Sequence, residues 1–549
     1  MSERIDFGVL YGQKTTEDAL LIYSSYEDAK ASPSTGDFIV LTPKDEDGRK
    51  FLARVEAEIY DEDPIFKSRD KTLIAVHYAR IAERELSDRD KQKMFSYTYK
   101  VRLLGTFIDK GSSIEFTTAA RKLPTVSYHA RHLKQNEVKH ILNIGNESGV
   151  EIGYLCIGED IYKDKGYILF DVQKLKDKRT MVFAQSGFGK TNLIKVLLHH
   201  IISDTNYGKL IFDLNGEYFL RGRKTYGLGD INEQKIKDNL VVYSDKKIPD
   251  EYKDRFIYKG NVLINMHEHL TVGDILNFSA GFSEVMKSFL LYLEENQVKD
   301  FIENINSYVT NPRQLHEKFP DFWDTSAKGE KSARITVAAI RKRIAYLIEE
   351  GKGLHSSSST LIEEVMTYLK QGKTVVIDLS LRDSVDASII STILVRKLFE
   401  HNKEKFTSDN PKDVINSVIF VEEAQNVLSD ELVKSTANPF VKTAKEGRKF
   451  GIGIVAITQR PSAISEEIRT QAENFFAFHL GNSDDIRALI KSNVNYEDVI
   501  ANFIQRETIP GNLYMVSSEQ AFALPIRVKL FEELVENKVY ENSKFANTP

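Results

Sequence analysis

The sequence predicts an α/β protein organised on a parallel sheet, with a strand-rich region ahead of it. Three observations predict this. From about residue 150 onward, short apolar runs at 209–214, 374–379, 417–421 and 451–457 alternate with stretches of helical period. Strands apolar on both faces belong in the middle of a parallel sheet covered by helices. The run at 181–184 ends at a turn holding Gly187 and Gly189, and Leu193, Ile194, Leu197 and Leu198 then recur at helical spacing. Residues 1–150 carry short alternating runs separated by turn signals, as in a small β-barrel or sandwich.

At 549 residues the chain exceeds one typical domain, and two or three are expected. Its 41% hydrophobic and 28% charged content allows a sizeable core. The single Cys156 excludes an internal disulfide framework and any cysteine-based zinc site, which fits a reducing cytoplasm. There is no apolar signal core at the N-terminus and no run of 18 apolar residues, so a soluble, cytoplasmic protein with no membrane contact is expected. A net charge of −5 argues against a generally basic nucleic-acid coat protein, yet leaves room for a local basic channel.

In the first 150 residues the runs at 38–41, 51–55 and 97–104 read as strands, whereas 81–93 is too charged for a core strand and reads as a loop or short helix. His129 and His132, without acidic or cysteine partners in the sequence, read as surface residues. Further apolar runs follow at 240–243 and 262–264. Residues 271–370 read as mostly helical and divided by Asn311-Pro312 and Phe319-Pro320, with Phe282, Val285, Met286, Phe289, Leu290 and Leu293, then Ile335, Ala338, Ala339 and Ile344, facing a core. A helix is expected from about Ser388, a turn at Asp409, Asn410 and Pro411, edge strands at 512–516 and 521–530, and a charged tail at 531–549.

The chemistry begins at the glycine turn. A strand, a Gly-Phe-Gly-Lys-Thr turn and a helix make a phosphate-binding P-loop. Glycines let backbone N–H groups wrap phosphates, and the helix N-terminus adds partial positive charge. Ser186, Gly187, Phe188, Gly189, Lys190, Thr191 and Asn192 form the expected nucleotide-binding set. Lys190 would reach the β- and γ-phosphates, and the Thr191 hydroxyl would hold Mg²⁺. Ala184 stands where the pattern usually begins with glycine.

The apolar strand at 418–421 delivers Glu422 and Glu423 at its carboxyl end, where ligands bind in open α/β sheets. Glu422 fits an acid ordering Mg²⁺ through water, and Glu423 a carboxylate activating the attacking water. A helix start can carry such a pair too, but here it follows a P-loop. Gln459, at the polar tip of the strand 452–457, can sense a γ-phosphate or orient water; it can also simply cap a turn. Arg448 and Lys449 sit at a helix end, where cations complement the dipole, or where an arginine can be offered to a neighbouring subunit's nucleotide.

Taken jointly, Gly187 to Thr191, the Asp-Leu-Asn-Gly-Glu-Tyr element at 213–218, Val-Glu-Glu-Ala-Gln at 421–425, Glu-Gly-Arg-Lys-Phe-Gly at 446–451 and Thr-Gln-Arg-Pro-Ser at 458–462 resemble the HerA family of hexameric ATPases, within the HerA/FtsK class of DNA translocases. The resemblance implies an N-terminal β-barrel over 1–150, thought to serve assembly or partner binding. It implies a RecA-like P-loop NTPase core over 151–530 with a helical insertion at about 271–370, and a C-terminal arm at 531–549 bracing a neighbouring subunit. It implies Lys190 and Thr191 as nucleotide and Mg²⁺ residues, Glu422 on the Mg²⁺ waters, Glu423 as catalytic glutamate, Arg448 as a trans-acting arginine and Gln459 as sensor. Asp213 and Glu217 would lie near the nucleotide. Glu422 stands where aspartate is usual in the family.

The function implied is an ATP- and Mg²⁺-dependent homo-hexameric motor that translocates or unwinds double-stranded DNA. Arg221, Arg223 and Lys224 are candidate pore-loop cations, or plain solvated loop cations. The resemblance also implies a separate nuclease or NAD-consuming effector chain, in DNA end processing or antiviral defence, because no nuclease carboxylate cluster or NAD fingerprint is present in this sequence. A ring that mainly scaffolds such an effector is the alternative.

Overall fold

The computed structural model describes residues 6–14, 19–25, 33–44, 48–62, 95–109, 114–118, 122–142, 148–157, 160–162, 166–220, 225–278, 281–322, 329–407, 413–434, 438–518, 520 and 522–535. The expectations for 81–93, for Asp409 to Pro411, for Arg221, Arg223 and Lys224, and for 536–549 lie outside these residues.

The N-terminal strands are β1 (Asp6–Lys14), β2 (Ala19–Ser25), β3 (Phe38–Thr42), β4 (Lys50–Glu62), β5 (Phe95–Asp109), β6 (Ile114–Thr117) and β7 (His129–His132). They pair in the order β2-β1-β7-β3-β4-β5, and β5 pairs back onto β2, so six strands close a barrel while β6 continues from β5. Closure removes the free edges that an open sheet would expose. Phe7, Leu10, Ile22, Ile39, Leu41, Phe51 and Tyr99 fill one apolar cluster of the barrel. His129 is not partnerless, as the sequence suggested: its Nδ1 lies 3.4 Å from Asp6 Oδ2 on β1, the strand that β7 pairs with. Arg131, fully buried on β7, donates from Nη1 and Nη2 to the two carboxylate oxygens of Glu137, at 2.9 and 2.7 Å, in the helix Gln135–Ile141. This two-point ion pair fixes the exit of the chain from the barrel.

The second sheet has 13 strands: β8 (Val150–Ile157), β9 (Asp160–Ile161), β10 (Tyr167–Phe170), β11 (Arg179–Phe183), β12 (Gly208–Asp213), β13 (Leu240–Ser244), β14 (Ile257–Gly260), β15 (Thr374–Asp378), β16 (Ser417–Val421), β17 (Ile452–Thr458), β18 (Asn474–Ala477), β19 (Asn512–Val516) and β20 (Leu524–Val528). The path is β10-β8-β20-β19-β18-β11-β17-β16-β12-β15-β13-β14, with β9 off it against β8. The stretch from β18 to β14 is parallel, and β19, β20, β8 and β10 extend it antiparallel. The wholly buried β15, β16 and β17 lie inside the parallel part, as uniform apolarity requires. One expectation changes here. β19 and β20 are interior strands, because β8 covers the side of β20 that the sequence left open. The run at 262–264 makes only a single bridge, Ile264 to His355.

Between β14 and β15 comes a helical region. Glu295–Thr310 buries Val298, Phe301, Ile302, Ile305 and Tyr308 at three- and four-residue spacing. Pro312 opens the next helix, Pro312–Lys318, where its missing N–H costs nothing. In Glu330–Ile348 the buried face is Ala333, Val337, Ile340 and Ile344, whereas Ile335 is 60% exposed. Two residues along a helix is about 200°, so Ile335 faces away from Ala333 and Val337. The helix expected from Ser388 begins at Ser384, because Asp383 Oδ1 accepts the N–H groups of Val385 and Asp386 at 2.9 and 2.8 Å.

Barrel and sheet share one apolar cluster: Phe38, Val40, Leu52, Leu104 and Phe107 join Ile152, Phe170, Leu193, Phe476 and Phe522. The ring of Phe522 lies 5.8 Å from Phe38 and 6.2 Å from Phe116.

Candidate nucleotide site

The loop after β11 is shaped by its glycines. Gly187 and Gly189 have φ of +84° and +104°, a region that residues with a Cβ rarely adopt. A Cβ on Gly187 would meet no atom within 4 Å, so open space remains in front of the loop. Ala184 is fully buried, and its N–H donates to Thr458 O at 3.1 Å, prolonging the ladder to β17 by one residue. A methyl group fits because position 184 still belongs to the strand. The loop is braced from outside. Gln185 N–H donates to His479 O at 3.0 Å, Phe188 O accepts from Gly511 N–H at 3.0 Å, and the Phe188 ring lies 4.4 Å from that of His479.

Lys190 and Thr191 open the helix Lys190–Ile201, whose N-terminus faces the loop. Ser186 and Gly187 are exposed, and Phe188, Gly189, Lys190 and Thr191 are half-buried. The Asn192 side chain turns elsewhere: Nδ2 donates to Lys529 O and Oδ1 accepts from Phe531 N–H, each at 2.8 Å. Its amide ties the P-loop helix to the C-terminal segment.

β16 lies two strands from β11, across β17. Glu423 follows it with φ of +46°, a strained left-handed conformation for a residue with a Cβ, of the kind that clusters at active sites. Its carboxylate lies 3.6 Å from Lys190 Nζ and accepts hydrogen bonds from Gln459 Nε2 at 2.9 Å and Gln425 Nε2 at 2.8 Å. Gln425 is held in turn by Thr458, whose hydroxyl donates to Gln425 Oε1 at 2.6 Å. Burial pulls the Glu423 pKa upward, but the donors Gln425 and Gln459 and the Lys190 charge outweigh it, and the group sits below the usual carboxylate value. The geometry thus brings Lys190, Glu423 and Gln459 into direct contact. A cleft of about 470 Å³ beside them is lined in part by Gln185, Gln459, Arg460 and Asp485.

Glu422 points inward and is 8% exposed. Tyr218 donates its hydroxyl to Oε1 at 2.8 Å, and Asn215 Nδ2 donates to Oε2 at 3.3 Å. Burial, and next the nearby Asp213, push its pKa up to about 8. Asp213, also fully buried, accepts the N–H groups of Asn215, Gly216, Glu217 and Tyr218 at 3.3, 2.7, 3.1 and 3.0 Å. Burial raises it to about 6 despite those donors. Asp213 therefore shapes the turn that carries Tyr218. Sequence spacing gave no sign that Tyr218 would meet Glu422; only the pairing of β12 with β16 brings them together.

Arg448 lies away from this cluster. It precedes β17, whereas Gln459 follows it, and seven strand residues separate the ends by roughly 23 Å. Its side chain is 66% exposed, 3.4 Å from Glu473 Oε1. Arg179, which sequence reasoning passed over, anchors that corner by donating to the carbonyls of Ala444, Lys445 and Gln471. Burial lowers its pKa, with Glu473 opposing and Arg448 adding to the effect.

The positive-φ glycines, the open space before them and the helix N-terminus fit a bound triphosphate. The Thr191 hydroxyl and Glu422 carboxylate are the hard oxygen donors that Mg²⁺ prefers, directly or through water.

Residues 150–398 match the family model described as "Helicase HerA, central domain", and residues 330–484 match the model for zonular occludens toxin. The chain is 23% identical over 409 residues to the DNA double-strand break repair helicase HerA of Saccharolobus solfataricus, covering 74% of each chain. It is 25% identical over 413 residues to the protein of the same name from Sulfurisphaera tokodaii, covering 75% of this chain and 74% of that one. Among solved structures, VirB4 of Thermoanaerobacter pseudethanolicus aligns with 13% identity and a TM-score of 0.42, over 70% of this chain and 98% of that chain. A structural likeness this distant adds nothing to the assignment. The P-loop, the acid pair, the central-domain match and these relatives make the chain similar to the HerA P-loop ATPases over its central region.

Proposed function

We propose that this protein is an ATP- and Mg²⁺-driven ring motor that translocates or unwinds double-stranded DNA. In this reading Lys190 and the loop N–H groups hold the phosphates, Thr191 and Glu422 hold Mg²⁺ and its waters, and Mg²⁺ would neutralise charge developing on the phosphoryl oxygens. Glu423, kept ionised by its donors, orients and deprotonates the attacking water, and Gln459 registers the γ-phosphate through Glu423.

One observation supports a ring above all. Arg448 is exposed at the end of β17 remote from this chain's own P-loop, which supports a role at a neighbour's site. The relatives' name, DNA double-strand break repair helicase, supports duplex DNA as the track. The finer reading divides the chain at about residue 150 into a barrel that receives a nuclease or NAD-consuming effector and a motor core ending near 530. A C-terminal arm from 531 would brace the adjacent subunit, with Phe531 already packed on the P-loop helix.

The test is ATP hydrolysis by purified protein with and without duplex DNA, beside Lys190→Ala. The proposal expects DNA-stimulated hydrolysis that Lys190→Ala abolishes. If the ring assembles and Lys190→Ala retains full biological activity, the motor reading fails.

A further inference from the structure

Glu422 occupies the Mg²⁺-side acid position with one methylene more than aspartate, and so with one more rotatable bond. A longer carboxylate reaches the same place only if something removes that freedom. The turn after β12 supplies it. The Tyr218 ring is fully buried, its N–H is held by Asp213 Oδ2 at 3.0 Å, and its carbonyl accepts from Leu228 N–H at 2.7 Å. With the backbone fixed on both sides, the phenol oxygen has one place to be, and there it donates to Glu422 Oε1 at 2.8 Å. Asn215, from the same turn, approaches the other oxygen.

We infer that Tyr218 is a positioning residue for Glu422, with Asn215 as its weaker companion. Together they set the carboxylate that orders the Mg²⁺ waters. Asp213 acts one step further back, by shaping the turn that carries both. The inference rests on the nucleotide-site reading proposed above and gives the Asp-Leu-Asn-Gly-Glu-Tyr element a defined task there.

The experiment is a double-mutant cycle of Tyr218→Phe and Glu422→Asp on the full chain. It reads kcat and the binding of mant-ATP in Mg²⁺ and in EDTA. Tyr218→Phe keeps the ring and removes only the hydroxyl. Loss of the phenol's hydrogen bond to a carboxylate that Mg²⁺ binding would ionise should weaken Mg²⁺-dependent binding or lower kcat by roughly tenfold or more, leaving binding in EDTA unchanged. Glu422→Asp withdraws the carboxylate by about 1.5 Å, one C–C bond, beyond reach of the phenol. In that background Tyr218→Phe should then have little further effect. Equal effects of Tyr218→Phe in both backgrounds, or wild-type values in the single variant, overturn the inference. If Tyr218→Phe does not fold, Asn215→Ala, at an exposed position, carries the same cycle with a loss of a few-fold. Lys190→Ala separates the two failures. If it is inactive while Tyr218→Phe behaves as wild type, only the positioning role falls; if it hydrolyses ATP normally, the site reading falls.

Discussion

Glu422→Gln should make the nucleotide-free protein more stable at alkaline pH, although it removes a charge from the proposed nucleotide site. The folded protein raises Glu422 from 4.5 to about 8, by burial and by Asp213. An acid whose folded pKa lies above its unfolded value contributes stability that is complete below the unfolded value and is lost as pH rises through the folded one. Asp213, at about 6, contributes in the same sense at lower pH. Between pH 6 and 8, therefore, Glu422 dominates the difference between the two proteins. One proton over two pH units, at about 1.4 kcal/mol each, amounts to roughly 3 kcal/mol. Glutamine keeps the shape and still accepts from Tyr218, and every other titrating group is common to both proteins. Thermal unfolding in EDTA, followed by scanning fluorimetry from pH 6 to 8.5, should show the wild-type midpoint falling by several degrees more than that of Glu422→Gln. Parallel pH curves for the two proteins would refute the reasoning, since Glu422 would then be ionised throughout.

Arg448→Ala should abolish hydrolysis while leaving mant-ATP affinity and melting temperature nearly unchanged, because its ion pair with Glu473, at 3.4 Å, is solvent-exposed; a variant hydrolysing ATP at the wild-type rate would exclude a trans role. Glu137→Gln leaves Arg131 charged and fully buried, and should cost about 3–5 kcal/mol in urea unfolding of the barrel signal. Gly189→Ala forces a Cβ onto a φ of +104° with Gly511 N 3.4 Å away, and should cost about 1–3 kcal/mol of loop strain, read as weakened mant-ATP binding. Asn192→Asp sets a carboxylate oxygen against Lys529 O and should release the C-terminal segment, detected as faster proteolysis after residue 528; unchanged cleavage would count against that tie.

Local pattern determined a great deal. Uniform apolarity placed β15, β16 and β17 in a covered parallel sheet, and the Gly-Phe-Gly-Lys-Thr pattern located the left-handed turn between β11 and its helix, because glycine acts there through its own backbone freedom. The acid pair was legible as the end of an apolar strand. What stayed hidden depends on partners distant in the chain. The fate of β19 and β20 was decided by β8, more than 350 residues earlier. Ile335 and Ala333 are equally apolar, and only the packing of their helix says which one is buried. Asn192, next to the P-loop Thr191, turns to Lys529 and Phe531. The two glutamates, alike in sequence, are set apart by tertiary structure alone: one is buried against Tyr218 and Asp213 and rises to about 8, while the other is turned by a left-handed backbone toward Lys190, Gln425 and Gln459 and falls. A carboxylate's chemistry is set by its burial and its donors, and these exist only once β12, β16 and β17 are side by side.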